Sequence, residues 1–347
     1  MAPLLAGEGD PLGTHRALSP EGALPQPALR VDNDFSRVFA TELLVDVEVL
    51  NLDAASFRQM EEAGGGPDGV RRLVAETVAA RGKQHNPVTG SGGMLLGRIA
   101  WVGPSVAARG FVAGDRIATL ASLSLTPLSL SRLGEVRPES AQLDVEGQAV
   151  VFASAPLARL PADLPERLAL AALDVAGAAP QIARRASPGA RVVVLGAGGK
   201  SGVLCAVEAR RRVGPAGRVI GLESHAPYAR DLRELGVCDE VVEVDARDAI
   251  AVRDAVRSAG GEADLVVSCV NVPGVEMSAI VATRDRGTAY FFAMSTSFGA
   301  AALGAEGVGK DIDLAIGNGY AHGHADHTLA LLRSEPRLRA LFERRYG

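Results

Sequence analysis

The segment VVVLGAGGKSGVLCAVEARR, residues 192–211, constrains the fold more than any other stretch of this 347-residue chain. Four apolar residues suited to a buried strand run directly into a glycine loop, and the loop runs into a helix expected from Ser201 to Arg212. This succession gathers backbone N–H groups and the positive end of a helix dipole around one point, where a pyrophosphate fits. The spacing departs from G-x-G-x-x-G. Gly196 and Gly198 fit the first two places, Ser201 takes the third, and glycine comes one later at Gly202. Read instead as Ala197, Gly199 and Gly202, the spacing fits and the first glycine is lost. The candidate phosphate contacts are therefore Gly196, Gly198, Gly199, Lys200, Ser201 and Gly202, open by one position.

The chain beyond the loop agrees with it. Short apolar runs at 218–222, 240–244, 264–268 and 288–292 read as buried parallel strands, with helices expected at Tyr228–Leu235, Ala246–Ser258 and Met277–Thr283 between them. Such alternation predicts a doubly wound parallel Rossmann sheet with right-handed crossovers. Glu223 ends the second strand some twenty residues past the loop, where an acid accepts from adenosine ribose hydroxyls and repels a 2′-phosphate. The expected cofactor is NAD. Ser224, Asn271 and Met294 complete the cofactor-contact candidates.

The first 155 residues are of a different kind. Residues 1–12 read as a disordered leader, and order is expected from the turn at 32–34. TELLVDVEVL, 41–50, has the period-two alternation of a half-buried strand. Helical stretches come next, around 57–62 and 70–80, then GKQHNPVTGSGGM, 82–94, too rich in Gly, Pro, Asn and Ser for regular structure. Polar glycine-rich loops carrying a His, a Lys and an Asn often line sites. The tail holds the strand-like DIDLAI, a polar loop with His322, His324 and His327, and a last helix. Those three histidines have no accompanying carboxylate or cysteine pattern and read as a helix-capping turn, not a metal site.

Composition removes several classes of function. With 36 basic and 41 acidic residues the net charge is −5, and no basic run with interleaved aromatics tracks a nucleic-acid backbone. Neither a signal-peptide pattern nor a run of eighteen apolar residues is present, so a cytoplasmic protein without membrane contact is expected. Cys205, Cys238 and Cys269 are too few and scattered for a disulfide framework. The only lysines, Lys83, Lys200 and Lys310, each come after a glycine in a chain that otherwise uses arginine. A retained lysine can mark a need for a compact, titratable amine.

Together, GDRI (114–117), LPADLPERLALAAL, the glycine loop, LRELGVCDEVV (232–242) and GTAYFFAM resemble the medium-chain dehydrogenase superfamily along almost the whole chain. The resemblance implies a mainly β, GroES-like catalytic domain formed by residues 1–158 and 304–347, a Rossmann domain at 159–303, and homodimers paired through the YFFAM strand region. Zinc members take catalytic ligands from a cysteine after the first long strand and from a Gly-His-Glu turn. Asp53 and Gly90-Ser91-Gly92 stand in the matching places, so no metal is expected. More specifically, GTHR (13–16), NLDAASF (51–57), RGKQHNPVTGSGGM (81–94), GAGGKSG and IGNGY (316–320) resemble the L-erythro-3,5-diaminohexanoate dehydrogenase family. That family oxidatively deaminates carbon 3 of a diamino acid in anaerobic lysine breakdown.

Amine chemistry is consistent with a metal-free site, because a neutral amine already has the lone pair that expels hydride, whereas an alcohol must first become an alkoxide. A base is still required, since an alkylammonium of pKa near ~10 is protonated at neutral pH. Asp53, Lys83 and His85 are the candidates, and which of them is the base stays open. Glu61 and Glu62 are placed to meet a distal ammonium or to form a solvated helix face. Ser91, Asn318 and Tyr320 are further candidate substrate contacts, the last two because the tail is expected to return to the first domain. A zinc-free quinone or enoyl reductase, and a non-catalytic nucleotide-binding protein, share the scaffold.

Overall fold

In the computed structural model, which describes residues 3–87, 90–317 and 319–347, the chain divides into two compact units, Met1–Pro161 and Ala162–Gly347.

The first unit is built on six strands: β1 (Glu42–Asn51), β2 (Met94–Val102), β3 (Arg116–Thr119), β4 (Leu128–Arg137), β5 (Gln142–Phe152) and β6 (Leu157–Arg159). They form one antiparallel sheet in the order β6-β3-β2-β1-β5-β4. Alternation along β1 sends Val45 and Val47 into the core and leaves Asp46 exposed, as period-two patterning requires. Leu43, Leu95, Ile99, Ile117 and Leu143 join them in one apolar cluster. Helices α1 (Ala54–Gly64) and α2 (Pro67–Arg81) form a tight pair. A β-carbon at Gly69 would lie 2.1 Å from the Gly64 carbonyl oxygen, so this hairpin needs glycine there.

The start of the chain differs from the expected disordered leader. Leu4–Gly7 is a strand paired in parallel with Arg37–Phe39. GTHR holds this region together, because the Arg16 guanidinium is fully buried and donates to Glu42 (2.8 and 2.9 Å) and to the carbonyls of Asp34 and Arg37. Burial would raise the Glu42 carboxyl, but hydrogen bonds from Arg16 and His15 outweigh it and hold the group below its usual range. Local apolar patterning did not show this, because the packing partner is a buried charge.

The second unit opens with α3 (Glu166–Leu173) and α4 (Ala178–Arg185). Strands and helices then alternate: β7 (Arg191–Leu195), α5 (Lys200–Val213), β8 (Arg218–Glu223), α6 (Ala226–Leu235), β9 (Glu240–Glu243), α7 (Ala249–Ser258), β10 (Ala263–Ser268), α8 (Glu276–Ala282), β11 (Thr283–Phe291), α9 (Phe298–Gly307) and β12 (Asp313–Ile316). The sheet is wholly parallel, in the order β9-β8-β7-β10-β11-β12. Strand order reverses between β7 and β10, the place where doubly wound sheets open a crevice for ligands at their carboxyl ends. The Rossmann sheet and the separate mainly β unit are as the sequence predicts.

The tail corrects the expected domain division. Residues 304–347 belong to the second unit, and the boundary falls after Pro161 instead of after Ala158. β12 extends the parallel sheet beside β11, pairing Thr288 with Asp313 through Phe291 with Ile316. Helices α10 (His324–Ser334) and α11 (Pro336–Tyr346) pack on α3, α4 and α6. β11, which carries Tyr290 and Phe291, therefore lies inside the sheet, and β12 is the edge strand. Among the described residues no helix is long and apolar enough to cross a membrane.

Candidate active site

Chemistry-bearing residues collect in two places, one in each unit. In the first unit, Gln84 and Asn86 lie against α1. Gly93, at φ +75°, presses on the end of β1 so closely that a β-carbon would lie 2.4 Å from the Asn51 carbonyl oxygen. Asn86 Nδ2 donates to Gln59 Oε1 at 3.0 Å, and Gln84 Nε2 approaches Met60 Sδ at 3.9 Å. Gln59 and Met60 share a helix with Asp53, which caps it: Asp53 Oδ1 accepts from the Ser56 N–H at 2.8 Å. Capping occupies one carboxylate oxygen only. Asp53 Oδ2, Gln84 Oε1 and His85 Nδ1 are all buried without a hydrogen-bond partner among the described residues. Orphaned buried polar atoms of this kind are rare in proteins and suit a ligand.

The candidates separate at this point. Burial first, then the charges of Lys83 and Arg81, hold the His85 imidazolium below its ordinary pKa of 6.5, so the ring is neutral at pH 7 and able to take a proton. Lys83, expected as a depressed-pKa base or as an anchor for a carboxylate, is held by main-chain carbonyls. Its ammonium is fully buried and donates to the carbonyls of Pro25 (2.6 Å) and Gln26 (3.0 Å). Burial, with Arg81 beside it, lowers its pKa to about 8, yet at neutral pH it remains mostly the ammonium that two carbonyl acceptors need. Lys200 and Lys310 are also tied, to Asp174 (2.8 Å) and to Glu262 (2.7 Å). All three lysines thus donate to oxygen acceptors of this chain.

Ser91 closes the loop, its carbonyl accepting from the Asn86 N–H and its Oγ from the Gly93 N–H. Glu61 sits in the last turn of α1, its carbonyl taking the Gly65 N–H. Asn318 lies outside the described residues. Tyr320 is about half exposed and packs its ring on His324 in the second unit. The three tail histidines diverge: His324 is buried, His322 exposed, and His327 lies 3.4 Å from Glu208. Gln84 and Gln59 were not singled out by sequence; Gln84's position between Lys83 and His85 was the available signal.

In the second unit the glycine loop sits at the carboxyl end of β7, on the switch point. Gly196 turns the chain at φ +69°, and its N–H and that of Ala197 both donate to the Leu222 carbonyl (2.8 and 3.1 Å). Gly198 donates its N–H to Glu223 Oε2 at 3.0 Å, and a β-carbon there would lie 2.6 Å from Tyr228 Cβ. Gly202 lets α5 approach β7, since a β-carbon would sit 2.0 Å from the Gly196 carbonyl oxygen. The register left open by sequence is therefore Gly196, Gly198 and Gly202, with one extra residue before the third glycine. Gly199 is the N-cap of α5, no side chain caps that end, and a β-carbon there would meet only the Gly196 carbonyl oxygen, at 3.5 Å. Open space in front of uncapped helical N–H groups fits a dinucleotide pyrophosphate. Glu223 is less free than expected: Oε1 accepts from the His225 N–H as Oε2 accepts from Gly198, leaving lone pairs for a ribose hydroxyl. Ser224, Asn271 and Met294 are exposed just beyond the ends of β8, β10 and β11. No group of three or more His, Cys, Asp or Glu that could hold a metal occurs among the described residues.

Replacing Lys83 by Met should therefore lower the thermal midpoint, because two buried carbonyls lose their donor, while the kcat of the folded variant stays within a few-fold of the parent. A collapse of kcat with an unchanged midpoint would restore Lys83 as a reacting group.

Known proteins resemble this chain in sequence and in fold. Residues 15–161 match the family described as the L-erythro-3,5-diaminohexanoate dehydrogenase N-terminal domain. The chain is 48% identical to L-erythro-3,5-diaminohexanoate dehydrogenase of Acetoanaerobium sticklandii, over 98% of this chain and 99% of that one. It is 47% identical to the protein of the same name from Fusobacterium nucleatum, with the same coverage. The fold is also that of a quinone oxidoreductase from Pseudomonas syringae, at TM-score 0.51 and 16% identity over 85% of this chain and 81% of that one. The chain belongs to the L-erythro-3,5-diaminohexanoate dehydrogenase family.

Proposed function

We propose that this protein is a zinc-independent, NAD-dependent dehydrogenase that oxidatively deaminates L-erythro-3,5-diaminohexanoate to 5-amino-3-oxohexanoate, releasing ammonia and NADH, a step of lysine fermentation. The observation that carries the reading is 48% identity, over nearly the full length of both chains, to a protein bearing that name. In the second unit, Gly196, Gly198, Gly199, Lys200, Ser201 and Gly202 hold the pyrophosphate, Glu223 and Ser224 face the adenosine ribose, and Asn271 and Met294 flank the strand ends. The nicotinamide supplies a hydride acceptor.

In the first unit, Asp53 Oδ2 accepts from the ammonium on carbon 3 and orients it, and neutral His85 takes one of its protons through Nδ1. The freed lone pair then forms the C=N bond as hydride leaves carbon 3. His85 then releases that proton to solvent; water adds to the resulting iminium carbon with the neutral ring accepting its proton, and the ring returns the proton to nitrogen as ammonia departs and the carbonyl forms. One water enters; one ammonium, one NADH and one proton leave. Ser91 and Glu61 are the proposed contacts to the rest of the diamino acid.

Assayed with that substrate and NAD, the enzyme should release one ammonia per NADH and keep its rate in a strong chelator. His85→Asn should lower kcat on the order of 10²-fold, the usual range for a lost general base. A base must be deprotonated, and the His85 pKa is depressed, so the acid limb of the wild-type kcat profile should lie below pH 6.5 and vanish in the variant. Reduction of enones with NADPH and indifference to the diamino acid would point instead to a reductase on this scaffold.

NAD should be preferred over NADP, because Glu223 is a buried carboxylate next to the ribose position. Glu223→Ser should narrow the NAD to NADP ratio of kcat/KM; an unchanged ratio would remove Glu223 from cofactor choice.

A homodimer pairing β12 edges replaces the expected contact through the YFFAM strand. Ile316 on that edge is over half exposed, with exposed Phe298 and Leu303 on neighbouring α9. Sedimentation equilibrium at twice the chain mass, lost on Ala315→Pro, is the expected result; a monomeric wild type would exclude it.

A further inference from the structure

The last helix of the chain reaches the glycine loop. Arg345, near the end of α11, donates through a terminal guanidinium nitrogen to the carbonyl of Gly198 at 2.6 Å. Its Nε donates to Asp231 Oδ2 on α6 at 2.8 Å, and the guanidinium plane lies 4.3 Å from the centroid of the Tyr228 ring. The side chain is only 10% exposed. Tyr228 in turn backs Gly198, whose N–H is held by Glu223 at 3.0 Å. One residue of the loop is thus pinned on both polar atoms, the N–H by a carboxylate from β8 and the carbonyl by a guanidinium from α11. The next residue, Gly199, is the uncapped start of α5. Tyr346 adds a second contact from the same turn, its ring 5.4 Å from Lys200 Nζ.

Neither the motif nor the expected domain division draws attention to Arg345. Yet a glycine-rich loop has more backbone freedom than any other sequence, and order imposed before the ligand arrives reduces what binding must supply. A charged donor on a carbonyl is among the stronger neutral-acceptor hydrogen bonds, and the stacked, forked geometry suits arginine alone.

We propose that Arg345 is a positioning residue for the dinucleotide: by holding the Gly198 carbonyl against the pull of Glu223 on its N–H, it fixes the orientation of the phosphate-facing N–H groups at the start of α5. This rests on the glycine loop being the NAD site. Arg345 touches no reacting atom, so its loss raises the KM for NAD and leaves kcat nearly unchanged.

The test compares Arg345→Ala, Arg345→Lys and Arg344→Ala. Arg344 also donates to Asp231, so its removal weakens the tie between α11 and α6 without touching Gly198. NADH affinity is read by fluorescence, and loop order by amide hydrogen exchange over 196–202 in the protein without cofactor. Arg345→Ala should weaken NADH binding by about tenfold, the effect of one charge-assisted hydrogen bond, and speed exchange in the loop. Arg345→Lys, with a single donating nitrogen in place of the fork, should recover part of both, and Arg344→Ala should leave both at the parent value. Wild-type NADH affinity and exchange in Arg345→Ala would overturn the proposal, as would equal losses in Arg344→Ala and Arg345→Ala, which would mean helix docking only. Should Arg345→Ala fail to fold, Arg345→Lys against Arg344→Ala decides by the same readings. Failure of the wild type itself to bind NADH would refute the nucleotide reading instead, and loop exchange would still judge the clamp.

Discussion

The backbone of α5 approaches the end of β7 more closely than a side chain permits. With a β-carbon at residue 202 only 2.0 Å from the Gly196 carbonyl oxygen, helix and strand can meet there only through glycine. From that contact the loop between them takes its shape: Gly196 must turn with positive φ, its N–H and its neighbour's must find the Leu222 carbonyl, and Gly198 is brought onto Glu223 and Tyr228. Whether the loop presents free N–H groups to a phosphate is decided at this point, before any ligand contact is considered.

How much could be read from sequence depended on how local each cause is. Apolar runs bounded by turns located β7, β8, β10 and β11, because a strand buried on both faces has little choice of residue. The alternation of β1 was equally plain. By contrast, β4 begins LSLSRLGEVR and β5 QLDVEGQAVV, with polar residues, glycines and bulges interrupting the period, so neither declared itself. The ordered start of the chain was hidden because its partner is a buried arginine. Helical patterning of the tail was visible, but where the tail docks depends on the pairing of β12 with β11, a non-local register that no window of sequence contains.

At the polar cluster of the first unit the same division applies. Loop 82–94 was recognisable by composition, and Asp53 by its place in the chain. Composition does not tell which polar atoms are already used. Lys83 and His85 stand two residues apart, yet the ammonium is spent on the carbonyls of Pro25 and Gln26 while the imidazole Nδ1 finds no partner among the described residues. A lysine bound this way still acts at a distance, since its charge helps to keep His85 neutral.

The uncapped start of α5 has a consequence for the amount of folded protein. A helix of 14 residues whose N-terminal groups find no side chain is completed by whatever anion occupies that end. A ligand bound only by the folded chain stabilises it by RT ln(1 + [L]/Kd), about 2.7 kcal/mol at a hundredfold excess over Kd. Any anion bound there by the folded chain alone thereby protects it from unfolding and proteolysis, so occupancy of that helix end bears on the amount of folded protein as well as on binding.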